Sequence, residues 1–183
     1  MPPLYPRDLT LGEVDSLLRE SEGSTSVHHP RGAGHANAKH HALTKTDLWN
    51  RLHTEHRNGE IALFTAFISR ADMVAALQET LDSVEGKWAR LEFHQAAPTT
   101  KYPKGSHNGM FAKIYYVGRS RVVRYAGGAG AMPVTDYVLL LYRDDSRRLG
   151  LHVKTFYGTT TEVRPDPRVF VYGRDRGEFS KGP

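Results

Sequence analysis

Residues 136–143 read DYVLLLYR, residues 150–157 read GLHVKTFY, and the polar DDSRR (144–148) lies between them. Both runs are short, apolar and rich in residues that suit a pleated surface, so the pattern predicts an antiparallel hairpin. Upstream, Ala112–Val117 and Arg121–Tyr125 read as two further short strands, and the glycine-rich GGAGAMP (127–133) reads as irregular. The strand-like pattern reaches back to Trp88, with weak alternation over Arg90–His94, and Gln95–Gly109 reads as a Pro/Gly/Thr loop. Downstream, a charged stretch holding Pro165 and Pro167 reads as a tail with at most one strand, Val169–Tyr172.

Toward the N-terminus the period changes. Leu9–Glu20 reads as a helix, with Thr10 and Glu13 as a capping box and Val14, Leu17 and Leu18 on one side. Ser21–Gly34 is a Ser/Gly/His loop. A second helical zone begins around His35 and a third around Thr46, the latter with Leu48, Leu52 and Trp49 as its apolar side. Asn58–Gly59 marks a turn and Ile61–Phe67 an apolar strand. Ser69 with Asp72 opens a helix whose stripe is Met73, Ala76, Leu77 and Leu81, and Gly86 closes it. Helices come first and strands later, which predicts an α+β fold rather than a βαβ one.

The 183 residues suffice for one domain with a real core. Lys plus Arg number 25 against 20 Asp plus Glu, and the resulting +5 permits a polyanionic partner. There is no cysteine, which excludes a disulfide scaffold, a thiol nucleophile and a cysteine zinc site. No apolar run approaches the roughly 20 residues of a membrane span. The opening MPPLYPRDLT lacks a signal-peptide pattern, so export would need another segment or machine.

Seven of the 10 histidines fall between His28 and His56: His28, His29, His35, His40, His41, His53 and His56. Such density reads as a metal site, as an acid/base supply or as a solvated polar surface. His35 and His40 are five positions apart, a spacing that suits one helical face poorly, and there is no HExxH motif, so no metal and no cofactor are expected. RGAGHA (31–36) and GGAGAMP lack the context of a phosphate-binding loop.

Three segments, GHANAKHHALTKTDLWNRL (34–52), FTAFISRADMVAAL (64–77) and VLLLYRDDSRRLGLHVKTFYG (138–158), together resemble the bacterial RNase A-like toxin domain. That family forms the C-terminal ribonuclease of contact-dependent inhibition proteins and other polymorphic toxins. The pattern is carried by Gly34-His35, Lys39-His40, Lys45-Thr46, Arg51-Leu52, Phe64–Phe67, the helix from Ser69 to Leu77, and Thr155-Phe156-Tyr157. The chain departs from it at His41–Thr44, at Gly158, where the family often has Pro, and over 87–135.

The resemblance implies N-terminal helices packed on a curved antiparallel sheet, RNase A-like, without disulfides. It implies a leader helix or extension over 1–30, a catalytic domain over 31–162 and a polar tail over 163–183. The implied activity is metal-independent cleavage of RNA, tRNA among the classes, with His40, Arg51, Thr155 and Tyr157 as the catalytic set. His35, Lys39 and Lys45 would bind substrate, with His35 the rival of His40 as acid/base. The expected partners are RNA and an immunity protein. The protein would be a monomer, delivered to the target-cell cytoplasm, with no membrane association.

The chemistry is sensible in itself. RNA cleavage by its own 2′-hydroxyl needs a base, which histidine supplies near neutral pH. Arg51 can grip two phosphate oxygens, and a tyrosine hydroxyl can donate to phosphate, since phenols ordinarily titrate near 10. Residues 155 and 157 share one side of a strand, with Phe156, His152 and Lys154 expected on the other. Lys101, Lys104, Arg119, Arg121, Arg124, Arg147 and Arg148 are candidate phosphate contacts, and Tyr102, Tyr115, Tyr116 and Tyr125 are candidate base-stacking groups. Ordinary readings stand beside these: His40 as a helix-end cation, Arg51 as a solvated residue, Thr155 and Tyr157 as a common sheet pair. A different His-dependent ribonuclease of the barnase, EndoU or colicin type, or a non-catalytic RNA- or partner-binding module, are the alternatives.

Overall fold

The computed structural model describes residues 6–27, 33–55, 64–96, 109–126, 130–160, 166, 168–172 and 178–182. The expected turn at Asn58–Gly59, the start of the Ile61–Phe67 strand, His28, His29, His56, Lys101, Tyr102 and Lys104 lie outside these residues. In chain order the elements are α1 (Leu11–Ser21), α2 (Ala36–His40), α3 (Lys45–Glu55), β1 (Thr65–Phe67), α4 (Arg70–Asp82), α5 (Val84–Gln95), β2 (Phe111–Tyr125), β3 (Ala131–Arg143), β4 (Leu151–Thr159), β5 (Val169–Tyr172) and β6 (Glu178–Lys181). No helix among the described residues is long and apolar enough to cross a membrane.

Local signals fix the first helices. Thr10 accepts from the Glu13 amide while the Glu13 carboxylate accepts from that of Thr10, completing the capping box of α1. Thr44 and Asp47 trade the same pair of bonds ahead of α3, at 3.1 and 2.8 Å. Ser69 caps α4 through the Asp72 amide.

Residues 84–95 depart from the strand reading: they form α5, capped by Ser83 through the Gly86 amide at 3.0 Å. Five residues of weak alternation also fit a helix, and here Ala89 and Phe93, one turn apart, face the core. Gly86 therefore lies in the first turn of α5 rather than at the end of α4. A Cβ there would stand 2.1 Å from the Thr80 carbonyl oxygen, so glycine lets the two helices meet closely.

The sheet is antiparallel and open, in the order β4-β3-β2-β5-β6. The two short strands expected upstream of the hairpin are one long strand, β2. Gly118–Ser120 bulge out between the Val117↔Asp136 and Arg121↔Val134 pairs, which is why the sequence looks broken there. β3 runs along one edge of β2; the other edge is shared by β5 at residues 111–114 and by β1 at residues 123–125. The expected hairpin is β3–β4. β3 starts earlier than expected, inside the glycine-rich run, and the chain end adds β6 beside the expected β5.

Helices α1, α4 and α5 bury Val14, Leu17, Leu18, Met73, Leu77, Leu81 and Phe93 against Ile114, Leu139, Leu141, Val153, Phe156 and Val171. Phe67 stacks on Tyr137 and on Phe156, with ring centroids 6.2 and 5.6 Å apart. A second small cluster joins Leu48 of α3 to Ala66 and Ala126, with Leu43, Leu52 and Phe64 around it. Trp49, expected on that apolar side, is exposed and lies against His53. The fold is α+β, with helices on an antiparallel sheet and no disulfide, as the order of elements and the absence of cysteine dictate.

Candidate functional site

A bulge in β4 sets the geometry. Leu140 pairs with Thr155 but Leu141 pairs with Val153, so Lys154 is an extra residue. The bulge shifts the alternation by one: Leu151, Val153 and Phe156 face the helices, while His152, Thr155 and Tyr157 share the other face. His152 thus does not share the face of Phe156, as simple alternation predicted. It is buried on the opposite face, stacked on Tyr142 at 5.8 Å. Lys154, also expected beside Phe156, turns toward the N-terminal segment instead and donates to the Ala33 carbonyl at 2.5 Å.

That segment carries α2. The His35 amide donates to the Lys154 carbonyl at 3.0 Å, tying the start of α2 to the bulge. The Glu22 carboxylate accepts from the amides of Asn37 and Ala38 at 2.8 and 2.9 Å, satisfying orphan donors where a helix favours negative charge. Arg70 adds a bond to the Asn37 side chain at 2.8 Å. A Cβ on Gly34 would stand 2.2 Å from the Ser21 carbonyl oxygen, so only glycine lets these strands of chain close on one another. These ties deliver the last residue of α2, His40, to the end of β4.

The His40 ring is buried, stacked on Tyr157 with centroids 5.1 Å apart and 6.1 Å from the ring of His35. Its Nδ1 lies 3.2 Å from the carbonyl oxygen of Thr65 in β1. A carbonyl only accepts, so Nδ1 carries the proton and Nε2 holds the lone pair. Thr65 is itself fixed to β4 by its hydroxyl, which donates to the Gly158 carbonyl at 2.5 Å. Burial pushes the His40 imidazole down to about 3; the Thr65 carbonyl resists, and Arg51, His35 and Lys39 push the same way as burial. Burial, then Lys154 and Lys39, push His35 down to about 4. Burial, followed by Lys39, also lowers Lys154. Both imidazoles are therefore neutral at pH 7 within a ring of cations.

Arg51 completes that ring. Its guanidinium donates to the Lys39 carbonyl at 2.5 Å and lies 4.7 Å from the centroid of the Phe64 ring. Thr155 sits two residues from Tyr157 on the same face, and its Oγ1 is buried without a hydrogen-bond partner among the described residues. The structure thus gathers His35, Lys39, His40, Arg51 and Tyr157, with Thr155 beside them. Lys45 is exposed at the start of α3 and is joined to the cluster by no contact among the described residues. Lys154 and Glu22 were missed. A bulge leaves no mark in strand alternation, and Glu22 belongs to a different segment from the amides it caps. The chemical capacity of the cluster is that of a neutral base, a hydroxyl donor and several cations around one small volume, which suits a phosphodiester.

No family model and no curated protein matches the chain. Among solved structures it is similar to the CdiA-CT/CdiI complex from Y. kristensenii, at 22% identity and a TM-score of 0.47, over 69% of this chain and 100% of that one.

Proposed function

We propose that the chain is a metal-independent endoribonuclease that acts as an antibacterial toxin. One observation carries the reaction: the neutral imidazole of His40, its Nε2 lone pair set by the Thr65 bond, lies against the Tyr157 ring amid Arg51, Lys39 and Lys154. In this reading Nε2 takes the proton of an RNA 2′-hydroxyl and the freed oxygen bonds to phosphorus. Arg51 and Lys154 hold the charge that builds on the phosphoryl oxygens. The bond to the 5′-oxygen breaks, that oxygen takes the Tyr157 hydroxyl proton, and transfer from the His40 imidazolium to the phenolate resets the pair. The products are a 2′,3′-cyclic phosphate and a 5′-hydroxyl. Bound phosphate brings negative charge that raises the pKa of His40 toward the range useful for proton transfer.

The toxin role rests on the sequence pattern running from Gly34-His35 to Thr155-Phe156-Tyr157. An immunity protein for such a site would present acidic side chains to this cationic cluster. The test is incubation with total bacterial RNA in EDTA beside a His40→Ala variant, read on a denaturing gel and by end-group analysis. Cleavage to cyclic phosphate by the parent protein, lost in the variant, is expected. Cleavage only with added divalent metal, or equal cleavage by both proteins, overturns the mechanism.

A further inference from the structure

We propose that the sheet face bearing Thr155 and Tyr157 continues into a strip that binds single-stranded RNA beside the reacting phosphate: Tyr115 stacks on a nucleobase, and Lys113 and Arg168 hold flanking phosphates. The proposal deepens the ribonuclease reading and rests on it.

Register places these residues. Tyr157 pairs with Val138, and Val138 with Tyr115. The Tyr115 amide donates to the Arg168 carbonyl at 2.8 Å, continuing the ladder past the Ile114↔Val169 pair. Directly paired residues share a face, so Tyr157, Val138, Tyr115 and Arg168 form one row across β4, β3, β2 and the start of β5. The next row, by the same logic, is Thr155, Leu140, Lys113 and Phe170. Neighbouring strands are roughly 4.8 Å apart, so Tyr115 stands two strands, roughly 10 Å, from the ring on which His40 stacks.

The chemistry of the strip is that of a single-strand track. The Lys113 ammonium lies 4.9 Å from the centroid of the Tyr115 ring, so an aromatic face and a cation form one unit. Arg168 is exposed at its outer end. An aromatic ring flanked by cations suits a base with a phosphate on either side of it, and stacking tolerates any base. Among the described residues, the acids on the margins are Asp136, two residues from Val138 on the same strand face, Asp166, beyond Arg168, and Glu178, paired with Tyr172 in the row beyond that of Lys113; none lies in the two rows. Alternation also sorts the tyrosines. Tyr116 turns to the helix side and stacks on Tyr137 at 6.4 Å, so of the two neighbours only Tyr115 faces the substrate side.

The test uses fluorescent hexamers of 2′-O-methyl uridine and 2′-O-methyl adenosine, which lack the attacking hydroxyl and report binding without turnover, and an abasic hexamer of the same charge. Anisotropy titrations compare the parent protein with Tyr115→Ala, Tyr115→Phe, Lys113→Gln and Arg168→Gln, each checked by thermal unfolding. Tyr115→Ala is expected to weaken both base-bearing hexamers by about tenfold or more while leaving the abasic one unchanged, and Tyr115→Phe to retain binding. Lys113→Gln and Arg168→Gln are expected to weaken all three hexamers and to flatten the salt dependence. If the parent protein cleaves RNA in EDTA but Tyr115→Ala binds and cleaves like it, the strip falls and the ribonuclease reading stands. If the parent protein neither cleaves RNA nor binds any hexamer, both fall.

Discussion

The imidazole of His40 stacks on the phenol of Tyr157, with ring centroids 5.1 Å apart and planes inclined by 27°. One ring ends a helix of five residues and the other stands on a strand formed much later in the chain. Glu22 caps that helix and the β4 bulge receives its start, and these ties help bring the two rings together. With Nδ1 committed to Thr65, Nε2 is the nitrogen left to take a substrate proton in the proposed reaction, and its titration would set the pH range of that reaction.

The pH dependence of kcat/KM follows from that burial. The profile of kcat/KM reports the free protein's base, and an ordinary histidine would lose half the activity near pH 6.5. With His40 held at about 3, kcat/KM for a short RNA substrate is expected to stay flat from pH 7 to pH 5 and to fall only below that. His40→Ala is expected to lower it by roughly 10²- to 10⁴-fold at every pH in this range. An acid limb centred near pH 6.5 would show that the base titrates as an ordinary histidine, against the depressed value that burial gives His40.

The same depressed titration predicts the acid sensitivity of the fold. Unfolded histidine takes a proton near pH 6.5, whereas His35 and His40 resist it to about 4 and about 3, and His41 is shifted in the same direction by burial. Below pH 6.5 the unfolded chain therefore binds more protons, and stability, complete above that pH, is lost as pH falls toward the folded values. The carboxylates held low by partners, such as Glu13 beside Arg7, give up their contribution only below their ordinary range of about 4. Thermal midpoints are expected to drop between pH 7 and pH 5 in the parent protein and to drop less in His40→Gln. Equal drops would contradict the burial argument.

Lys154 acts on the site through charge. It donates to the Ala33 carbonyl and is the largest charged influence on His35. Lys154→Gln removes the repulsion, so the His35 titration followed by NMR is expected to move upward toward 6.5. Loss of a charge-assisted contact to the phosphoryl group is expected to cost roughly 2 kcal/mol, a fall of about 30-fold in kcat/KM. An unmoved His35 titration would place the Lys154 ammonium away from the site in solution.

Much of this was legible in the chain. DYVLLLYR and GLHVKTFY gave their hairpin away by composition and a polar joint, and Thr10–Glu13 and Ser69–Asp72 announced helix starts through caps that act within three residues. His40, Arg51 and Tyr157 stood out by resemblance, and the structure brings them together. What escaped was non-local or broke a period. Residues 90–94 alternate too briefly to separate a strand from a helix, Gly118–Ser120 disguise one strand as two, and the extra residue Lys154 reverses the side that His152 and Lys154 take. Glu22 shows the limit most plainly: nothing in its own neighbourhood says that it caps a helix beginning beyond a long loop.

Ala42 offers a test of how firmly the His40 helix is fixed to the sheet. It holds φ 53, the left-handed region that disfavours a Cβ, and its amide donates to the Phe67 carbonyl at 3.0 Å directly after the His41–Phe67 bridge. Ala42→Gly removes a local strain of about 1–2 kcal/mol and gives back part of it, about 0.4–1 kcal/mol, through the freer unfolded chain. The net expectation is a stabilisation of up to about 1 kcal/mol in denaturant unfolding. Ala38→Gly, the same substitution in the middle of α2, is expected to destabilise by about 1 kcal/mol, because there the backbone is helical and glycine only costs entropy. Opposite signs for the two variants would establish that Ala42 is held against its preference by the Phe67 bond. Two destabilisations of equal size would mean that residue 42 relaxes out of the left-handed region in solution and that the tie between the His40 helix and β1 is looser than this geometry requires.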